Sequence, residues 1–475
     1  MTGIILSSKY IENSLKVEFG NIIPVELPLH NRRLLEHQLE FLKNHCSEII
    51  LTIPKNYEIE VPESLTILEL NPEYSLIQAI KEALKIVKTE KILIYYGDSL
   101  FLKVQFNDYD NEYFIGQPIY NYEWGLANNE GLVPAGLFKI NLTLLNTIIK
   151  KVESFNTLVN EFKKQKIIPN QNFKWLDFGH SLTFYNSRRS FLETRHFNNL
   201  VSNGGFLEKS SSDFIKIWSE YNWLLKMKSV FPLNIPYVKN FDIRNNMASY
   251  SIEYLNYPIL SDIFVFGKLD TDFKIKILES IKVLQKKIIN ANFVRKNFEK
   301  NNFLVNKIID RKQDIIYACN NLNIDISQIE KMIDENINYF NSKKYEYGII
   351  HGDLCFSNIL FNFSNFEPVL IDPRGYFEKE IGFNLFGPID YDKYKLAHSY
   401  ILGYDYLIAG IEKNDFFDLD SINNRIDIFI KIFDIDRFDL IMGLKNLFLT
   451  MIPLHSDSPK RQKSFFNILT LLNKL

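Results

Sequence analysis

Cysteine is scarce. Cys46, Cys319 and Cys355 are the only three in 475 residues, and they lie far apart. That spacing excludes a disulfide framework and a cysteine zinc site, and it fits a reducing, cytoplasmic compartment. Long apolar runs are missing too. No stretch approaches the roughly 18 apolar residues of a membrane span, so direct insertion into a bilayer is not expected. The opening "MTGIILSSKYIEN" holds too short an apolar run for a secretory signal. Charge of one sign is not in excess. Lys plus Arg is 55 against 57 for Asp plus Glu, a net charge of -2, which advertises neither a nucleic-acid nor an anionic-membrane partner. There is no internal repeat and no low-complexity tail, and nothing specifies an oligomeric state.

What is present is globular. A hydrophobic fraction of 46% and a charged fraction of 24% are those of a folded protein, and 475 residues exceed one ordinary core. The 39 Phe and 25 Tyr accompany abundant Asn, Ile and Lys, a pattern that reflects A- and T-rich coding rather than a special interface. The first 100 residues alternate strand and helix patterns. "GIIL", "EIILTI" and "KILIYYGD" have the character of strands. "NRRLLEHQLEFLKN" carries Leu35, Leu39 and Leu42 at helical spacing. "SLIQAIKEALKIVK" opens on a capping box of Ser75 and Gln78 and buries Ile80, Ala83, Leu84 and Val87. This βαβαβ order predicts a mostly parallel sheet covered by helices, with ligands beyond the carboxyl ends of its strands. Asp98 stands at such an end.

After Asn198 the texture changes. "VSNGGFLEKSSSD" marks a break or a hairpin, and the boundary is placed so that residues 1–197 form one domain and 198–475 another. The second is α+β: strands "FLEKS" and "MASYSIEYLN", a helix "DFIKIWSEYNWLLKM" between them, then helices, with one strand pair between His351 and Asp372. Asp392 and His398 interrupt an otherwise apolar helix. They are read as a helix start and a satisfied core histidine. Pro459 is expected to open the last helix.

The densest chemistry lies in "HGDLCFSNIL…VLIDPRG". Four residues separate Asp353 from Asn358, the spacing of a kinase catalytic loop, and Asp372 ends the next strand. Moving a γ-phosphoryl group needs a carboxylate at the acceptor hydroxyl and oxygen ligands for Mg²⁺. The competing reading is a hairpin with polar ends and an Asx-turn. The asparagine at its offset and the second strand ending in Asp-Pro-Arg-Gly favour phosphoryl transfer.

The same segment resembles the catalytic segment of the aminoglycoside phosphotransferase and choline kinase-like family, which has a protein-kinase-like fold. The resemblance implies ATP and Mg²⁺ as cofactors and a small hydroxyl compound as acceptor. It implies Asp353 as catalytic base and Asn358 and Asp372 as metal ligands, with His351 supporting the loop. Arg374 could touch a phosphate. Such a fold needs a lysine for the α/β-phosphates and a helix glutamate to hold it. Lys209 and Glu220 stand in that order, a solvated lysine and a surface glutamate being the alternative. "SIEYLNYPILSDIF" resembles the hinge, with backbone around Glu253 to Leu255 facing the adenine. No clear glycine-rich loop precedes Lys209; Gly204 and Gly205 are the nearest candidates.

"GIILSS…IPVELPLHNRRLLEHQLEFLK…ILIYYGDSL" resembles the opening of the sugar-phosphate nucleotidyltransferases, with a Rossmann-like, GT-A-like sheet. "PAGLFKI" and "WLDFGHSLTFY" resemble later landmarks. The match implies Asp98 and Asp177 as a metal pair and a second NTP (CTP, UTP or GTP) as substrate. The glycine-rich loop of that family is replaced by Ser7, Ser8, Lys9 and Tyr10. Lys9, Lys16, Arg32 and Arg33 are the nearby basic residues, with Lys9 or Lys16 the candidates to meet phosphate instead. Together the two resemblances imply a bifunctional enzyme of bacterial capsule or surface-polysaccharide type, in which one domain's product is the other's substrate. The alternative is a kinase whose degenerate first domain binds a sugar nucleotide or a partner protein.

Overall fold

The computed structural model describes residues 1–120, 131–194, 201–203, 205–293, 302–376, 382–411 and 416–475. The chain divides into two compact units. One is Met1–Arg195 with Phe266–Leu269; the other is His196–Val265 with Asp270–Leu475.

The first unit is built on a seven-stranded sheet. Its spatial order is Ile168–Asn170, Glu112–Gly116, Val133–Asn141, Lys91–Tyr96, Thr2–Leu6, Glu48–Pro54, Leu65–Leu70. Val133–Asn141 runs antiparallel to both its neighbours, and the other pairs are parallel. Strands buried on both faces read as continuous apolar runs, and Thr2–Leu6 is buried at every position. One face packs on the helix Leu76–Leu84, whose Ile77, Ile80, Ala83 and Leu84 are buried; the other receives Leu35, Leu39 and Leu42 from the helix Leu34–Leu42. The capping box forms as the sequence predicts. Ser75 Oγ accepts the Gln78 N–H at 3.3 Å and Gln78 Oε1 accepts the Ser75 N–H at 2.7 Å. The result is a Rossmann-like, mostly parallel sheet with helices on both faces.

The second unit begins with a four-stranded antiparallel sheet ordered Val201–Asn203, Phe206–Ser211, Met247–Glu253, Val238–Arg244. Of the glycine pair, Gly205 lies at the turn of its first hairpin. Gly205 has φ +87° there, while Gly204 lies outside the described residues. The helix Phe214–Lys228 packs on this sheet and buries Ile217, Trp223, Leu224 and Met227. Long helices follow: Thr271–Ile289, Phe303–Leu322, Ile326–Ser342, Asp390–Tyr400, Leu419–Phe433, Arg437–Met451 and Pro459–Leu472. A hairpin of Ile359–Asn362 with Glu367–Leu370 lies among them. Thr271–Ile289 buries Ile277, Ile281, Leu284 and Ile288, the stripe read from the sequence. The second unit is thus α+β: a small antiparallel sheet followed by a helical half that carries one further hairpin. Among the described residues no helix is long and apolar enough to cross a membrane.

Candidate active sites

In the second unit the sheet register places the first functional pair. Lys209 lies directly opposite Tyr250, so both side chains leave the same face. That face meets the helix carrying Glu220. Lys209 Nζ lies 2.5 Å from Glu220 Oε1, and the Tyr250 hydroxyl donates to the same oxygen. Lys209 also reaches Asp372 Oδ1 at 3.0 Å. Burial alone would lower the Lys209 ammonium, but the charges of Asp372 and Glu220 hold it above its ordinary value. Glu220 is pushed up to about 7 by burial and by Asp372. Lys209 and Glu220 therefore form an enclosed ion pair, not a solvated lysine and a surface glutamate.

The loop at Asp353 is held from three sides. His351 is 1% exposed and bridges two segments: its Nε2 lies 2.9 Å from the Ile371 carbonyl, and its Nδ1 accepts the Asp353 N–H at 3.3 Å. A ring that donates at one nitrogen and accepts at the other is neutral, and burial pulls its pKa down to about 4. His351 thus ties the Asp353 loop to the Asp372 segment. Asn358 Nδ2 donates to Asp353 Oδ2 at 3.0 Å and to its carbonyl at 2.9 Å. Both acceptors are oxygens, which fixes the amide orientation and turns Asn358 Oδ1 away from them.

The third support was not legible in the sequence. Asp392 does not cap its own helix, where Ile389 is the N-cap. Its Oδ2 accepts the His351 N–H at 2.7 Å and its Oδ1 the Gly352 N–H at 2.8 Å. Burial pushes Asp392 up to about 7 against the pull of those two donors. Three residues on, Lys395 Nζ meets Asp353 Oδ1 at 2.9 Å. Burial alone would raise the Asp353 carboxyl, but Lys395 holds it well below the usual range. His398 is a buried histidine as expected, with Nδ1 against the Lys395 carbonyl and its ring stacked on Tyr404 at 4.6 Å.

Asp372 has φ +55°, the left-handed region, at a point where the chain must turn its carboxylate towards Lys209. Gly375 fixes that turn. At φ +66° it comes so close to the helix Phe214–Lys228 that a Cβ would stand 2.4 Å from the Ser219 carbonyl oxygen. The Asp-Pro-Arg-Gly segment is thereby seated beside the residue preceding Glu220.

These groups line one cleft of about 390 Å³, with Lys209, Glu220, Asp353, Asn358, Asp372 and Arg374 all on its wall. Glu253 is not brought there. Its N–H donates to the Tyr237 carbonyl at 2.8 Å and its carboxylate accepts the Tyr237 N–H at 3.0 Å. The hard oxygen donors of Asn358 and Asp372 on one wall fit Mg²⁺.

In the first unit a short antiparallel pair, Ser99–Leu102 with Lys174–Asp177, sets Asp177 opposite Ser99 and so next to Asp98. The Phe178 N–H donates to the Asp98 carbonyl at 2.8 Å, locking the two segments together. A Cβ on Gly179 would lie 3.0 Å from Asp98 Oδ2 and 3.3 Å from Asp177 Oδ1. The two oxygens thus cannot be farther apart than these distances laid end to end. Burial and the Asp177 charge push Asp98 up to about 7. Two carboxylates this close repel, and a divalent cation between them would relieve the repulsion, so the pair fits Mg²⁺.

Gln38 is the residue of this site that the sequence analysis missed. It is fully buried and its Nε2 donates to the carbonyls of Gly97 and Ser99 at 2.9 and 2.8 Å, clamping the backbone on both sides of Asp98. Its signal was a polar residue four positions from both Leu34 and Leu42, on the apolar face of the helix.

A cleft of about 280 Å³ opens over Asp98, walled by Ser7, Ser8, Lys9, Tyr10 and Gly179. Lys9 is exposed on its wall; Lys16 instead sits 5.3 Å over the Tyr10 ring. Arg32 and Arg33 pair with Glu40 and Glu36. The Ser7 N–H, which a phosphate loop would offer to its ligand, is donated to Thr52 Oγ1 at 3.0 Å.

No protein-family model matches the chain, and no curated protein matches it. Solved structures do. HddC from Yersinia pseudotuberculosis is 15% identical, covering 40% of this chain and 99% of its own, with a TM-score of 0.32. The inositol-1-phosphate CTP transferase from T. maritima is 13% identical over 40% of this chain and 96% of its own, with a TM-score of 0.31. An aminoglycoside-3'-phosphotransferase of type VIII is 12% identical over 54% of this chain and 96% of its own, with a TM-score of 0.36.

Proposed function

We propose that the chain is a bifunctional transferase. The second unit moves the γ-phosphoryl group of ATP to the hydroxyl of a small sugar, polyol or amino alcohol. The first unit moves NMP from a second NTP (CTP, UTP or GTP) onto that phosphate, an oxygen of the ester bonding to the α-phosphorus as the bond to the leaving pyrophosphate breaks. The result is an NDP-activated building block for a capsular or surface polysaccharide.

One observation carries the kinase step. Asp353 is fixed by Lys395 and Asn358 in the same cleft as the Lys209, Glu220 and Asp372 triad. In that step the acceptor oxygen bonds to the γ-phosphorus, the bond to the leaving ADP oxygen breaks, and the hydroxyl proton passes to Asp353. A carboxylate kept ionised by Lys395 suits orientation of the hydroxyl in a loose transition state that needs little base strength. Lys209 would take the α/β-phosphates, with Glu220 holding its ammonium. A Mg²⁺ ion held by Asn358 and Asp372 would offset charge on the phosphates.

The nucleotidyl step rests on the paired carboxylates of Asp98 and Asp177 at the carboxyl ends of the sheet. Against it stands the Ser7 N–H, already spent on Thr52. That observation favours a second reading, a kinase whose first unit only binds a sugar nucleotide or a partner protein. Incubating the full chain with Mg²⁺, ATP and each of CTP, UTP and GTP against mixed hydroxyl compounds, with products read by mass, tests both. A gain of one phosphate supports the kinase step and a further NMP the transferase step. A phosphate gain alone, with every NTP, selects the second reading. No gain from ATP, with acceptors of all charges, refutes the first.

A further inference from the structure

The cleft around Asp353 holds more positive charge than its kinase chemistry uses. Its carboxylates are Glu220, Asp353 and Asp372. Lys209 faces two of these and Lys395 the third. Besides Lys216, which is exposed, three half-buried cations remain on the wall, Lys307, Arg311 and Arg374.

Lys307 and Arg311 stand one turn apart on the helix Phe303–Leu322, which belongs to the helical half of the unit. Lys307 Nζ lies 3.3 Å from the Tyr391 hydroxyl, and Arg311 donates to the Thr450 carbonyl. The Arg374 guanidinium sits 5.3 Å from the centre of the Tyr376 ring. Among the described residues none of the three has a carboxylate within ion-pair distance. They are close enough to repel one another: burial first, then Lys395, Arg374 and Arg311, bring the Lys307 ammonium down to about 8. Burial alone would raise the Tyr391 phenol, yet Lys307, Lys395 and Arg374 bring it below its ordinary value. Asp310 and Asp314 offset the Arg311 charge in part from beyond ion-pair distance, but half-buried like charges with no ion-pair partner are costly, and a ligand of the missing sign would relieve them.

The nucleotide phosphates do not account for Lys307 and Arg311. Lys209 and the candidate metal ligands serve the sheet side of the cleft. Lys307 and Arg311 come instead from the helical half, Lys307 against Tyr391 and Arg311 against Thr450.

We propose that the hydroxyl acceptor of this kinase site is itself an anion, carrying a carboxylate or a phosphate that Lys307, Arg311 and Arg374 bind while its hydroxyl faces Asp353. This rests on the kinase reading of the cleft. It turns the acceptor away from cations such as amino alcohols, for which no carboxylate of the wall is spare.

The test uses the full chain with Mg·AMP-PNP bound. Inorganic phosphate, glycerate, glycerol phosphate and ethanolamine are titrated by calorimetry. Phosphate and at least one of the two hydroxy anions should bind, and ethanolamine should not. The tighter of glycerate and glycerol phosphate tells a carboxylate from a phosphate. Lys307→Met with Arg311→Met should raise the anion Kd tenfold or more and leave the Mg·AMP-PNP Kd within about twofold. Lys307→Met alone should melt no lower than the wild type, since it removes an unpaired charge, which separates lost binding from lost folding. No anion binding at millimolar concentration, equal binding by wild type and double variant, or tighter binding of ethanolamine each overturns the proposal. Failure of the wild type to bind Mg·AMP-PNP refutes the kinase reading instead, and the anion titrations can still be scored without nucleotide.

Discussion

Asp392 makes no contact with a reacting atom in the proposed mechanism, yet it holds the backbone N–H groups of His351 and Gly352. Asp392→Ala leaves two buried donors unpaired, each costing about 1–3 kcal/mol. The Asp353 loop should then shift, and kcat should fall by about 10–100-fold while the KM for ATP changes little. Asp392→Asn can still accept one of the two N–H groups and should recover part of kcat. Equal loss in both variants, with KM for ATP rising in step, would show a general structural role.

His351 gives a second residue-scale prediction. Its folded-state pKa, about 4, lies below the ordinary 6.5, so the folded protein binds fewer protons than the unfolded chain between those values. Its contribution to stability is present above pH 6.5 and is lost as pH falls towards 4, with a slope of up to about 1.4 kcal/mol per pH unit. Asp392 and Glu220, pushed up to about 7, act with the opposite sign as pH rises. The difference between wild type and His351→Gln in urea midpoint against pH therefore isolates the histidine. That difference should shrink by an amount matching the slope between pH 6.5 and 4; a flat difference would assign His351 no titration there. Residues such as His351, Asp353, Asn358 and Asp372 were legible because one loop and one hairpin fix their spacing. Asp392, Lys395, Lys307 and Arg311 were not, because they reach the cleft from separate helices and no local motif ties their positions together.

At the scale of elements, the link between the Asp372 segment and the helix bearing Glu220 is backbone against backbone at Gly375. Gly375→Ala must both hold a side chain at φ +66° and displace the Ser219 carbonyl. A cost of about 1–3 kcal/mol is the scale for such strain. Parting Asp372 from Lys209 should also weaken Mg·AMP-PNP binding. Denaturant unfolding and nucleotide calorimetry check the two effects, and an alanine variant of unchanged stability would show that the helix yields. Elements with a strong period were readable. The helix Thr271–Ile289 follows from its apolar stripe, and Leu76–Leu84 from its capping box. The strand Leu65–Leu70 was missed because it is an edge strand with a burial pattern of one buried residue at each end, so it lacks the continuous apolar run of Thr2–Leu6. Glu253 was assigned to the hinge from a local resemblance. In the fold it ends the strand Met247–Glu253, paired with Phe206 and bonded to Tyr237, and those neighbours come from strands distant in sequence.

At the scale of the whole molecule, the two candidate sites lie in separate compact units, and among the described residues each is lined by residues of its own unit. On the proposed function, the phosphorylated acceptor must leave Asp353 before it meets Asp98. Two single variants can test this. Asp353→Asn should cut phosphoryl transfer by about 10²–10⁴-fold, the usual scale for a positioned acid or base, and still convert added phosphorylated acceptor to its NDP form. Asp98→Asn should do the reverse, phosphorylating the acceptor and stopping there, because it breaks the carboxylate pair that fits the metal. Neither variant alone should carry an unphosphorylated acceptor through to the NDP product. An equimolar mixture should do so, after a lag in which the free phosphate ester accumulates, since each variant supplies the step the other lacks. If both single steps survive as described but the mixture gives no NDP product, the intermediate is not exchanged between molecules and free diffusion is wrong. If Asp98→Asn matches wild type in every nucleotidyl assay, the Asp98 and Asp177 pair has no part in transfer. The first unit would then serve as a binding domain attached to a kinase.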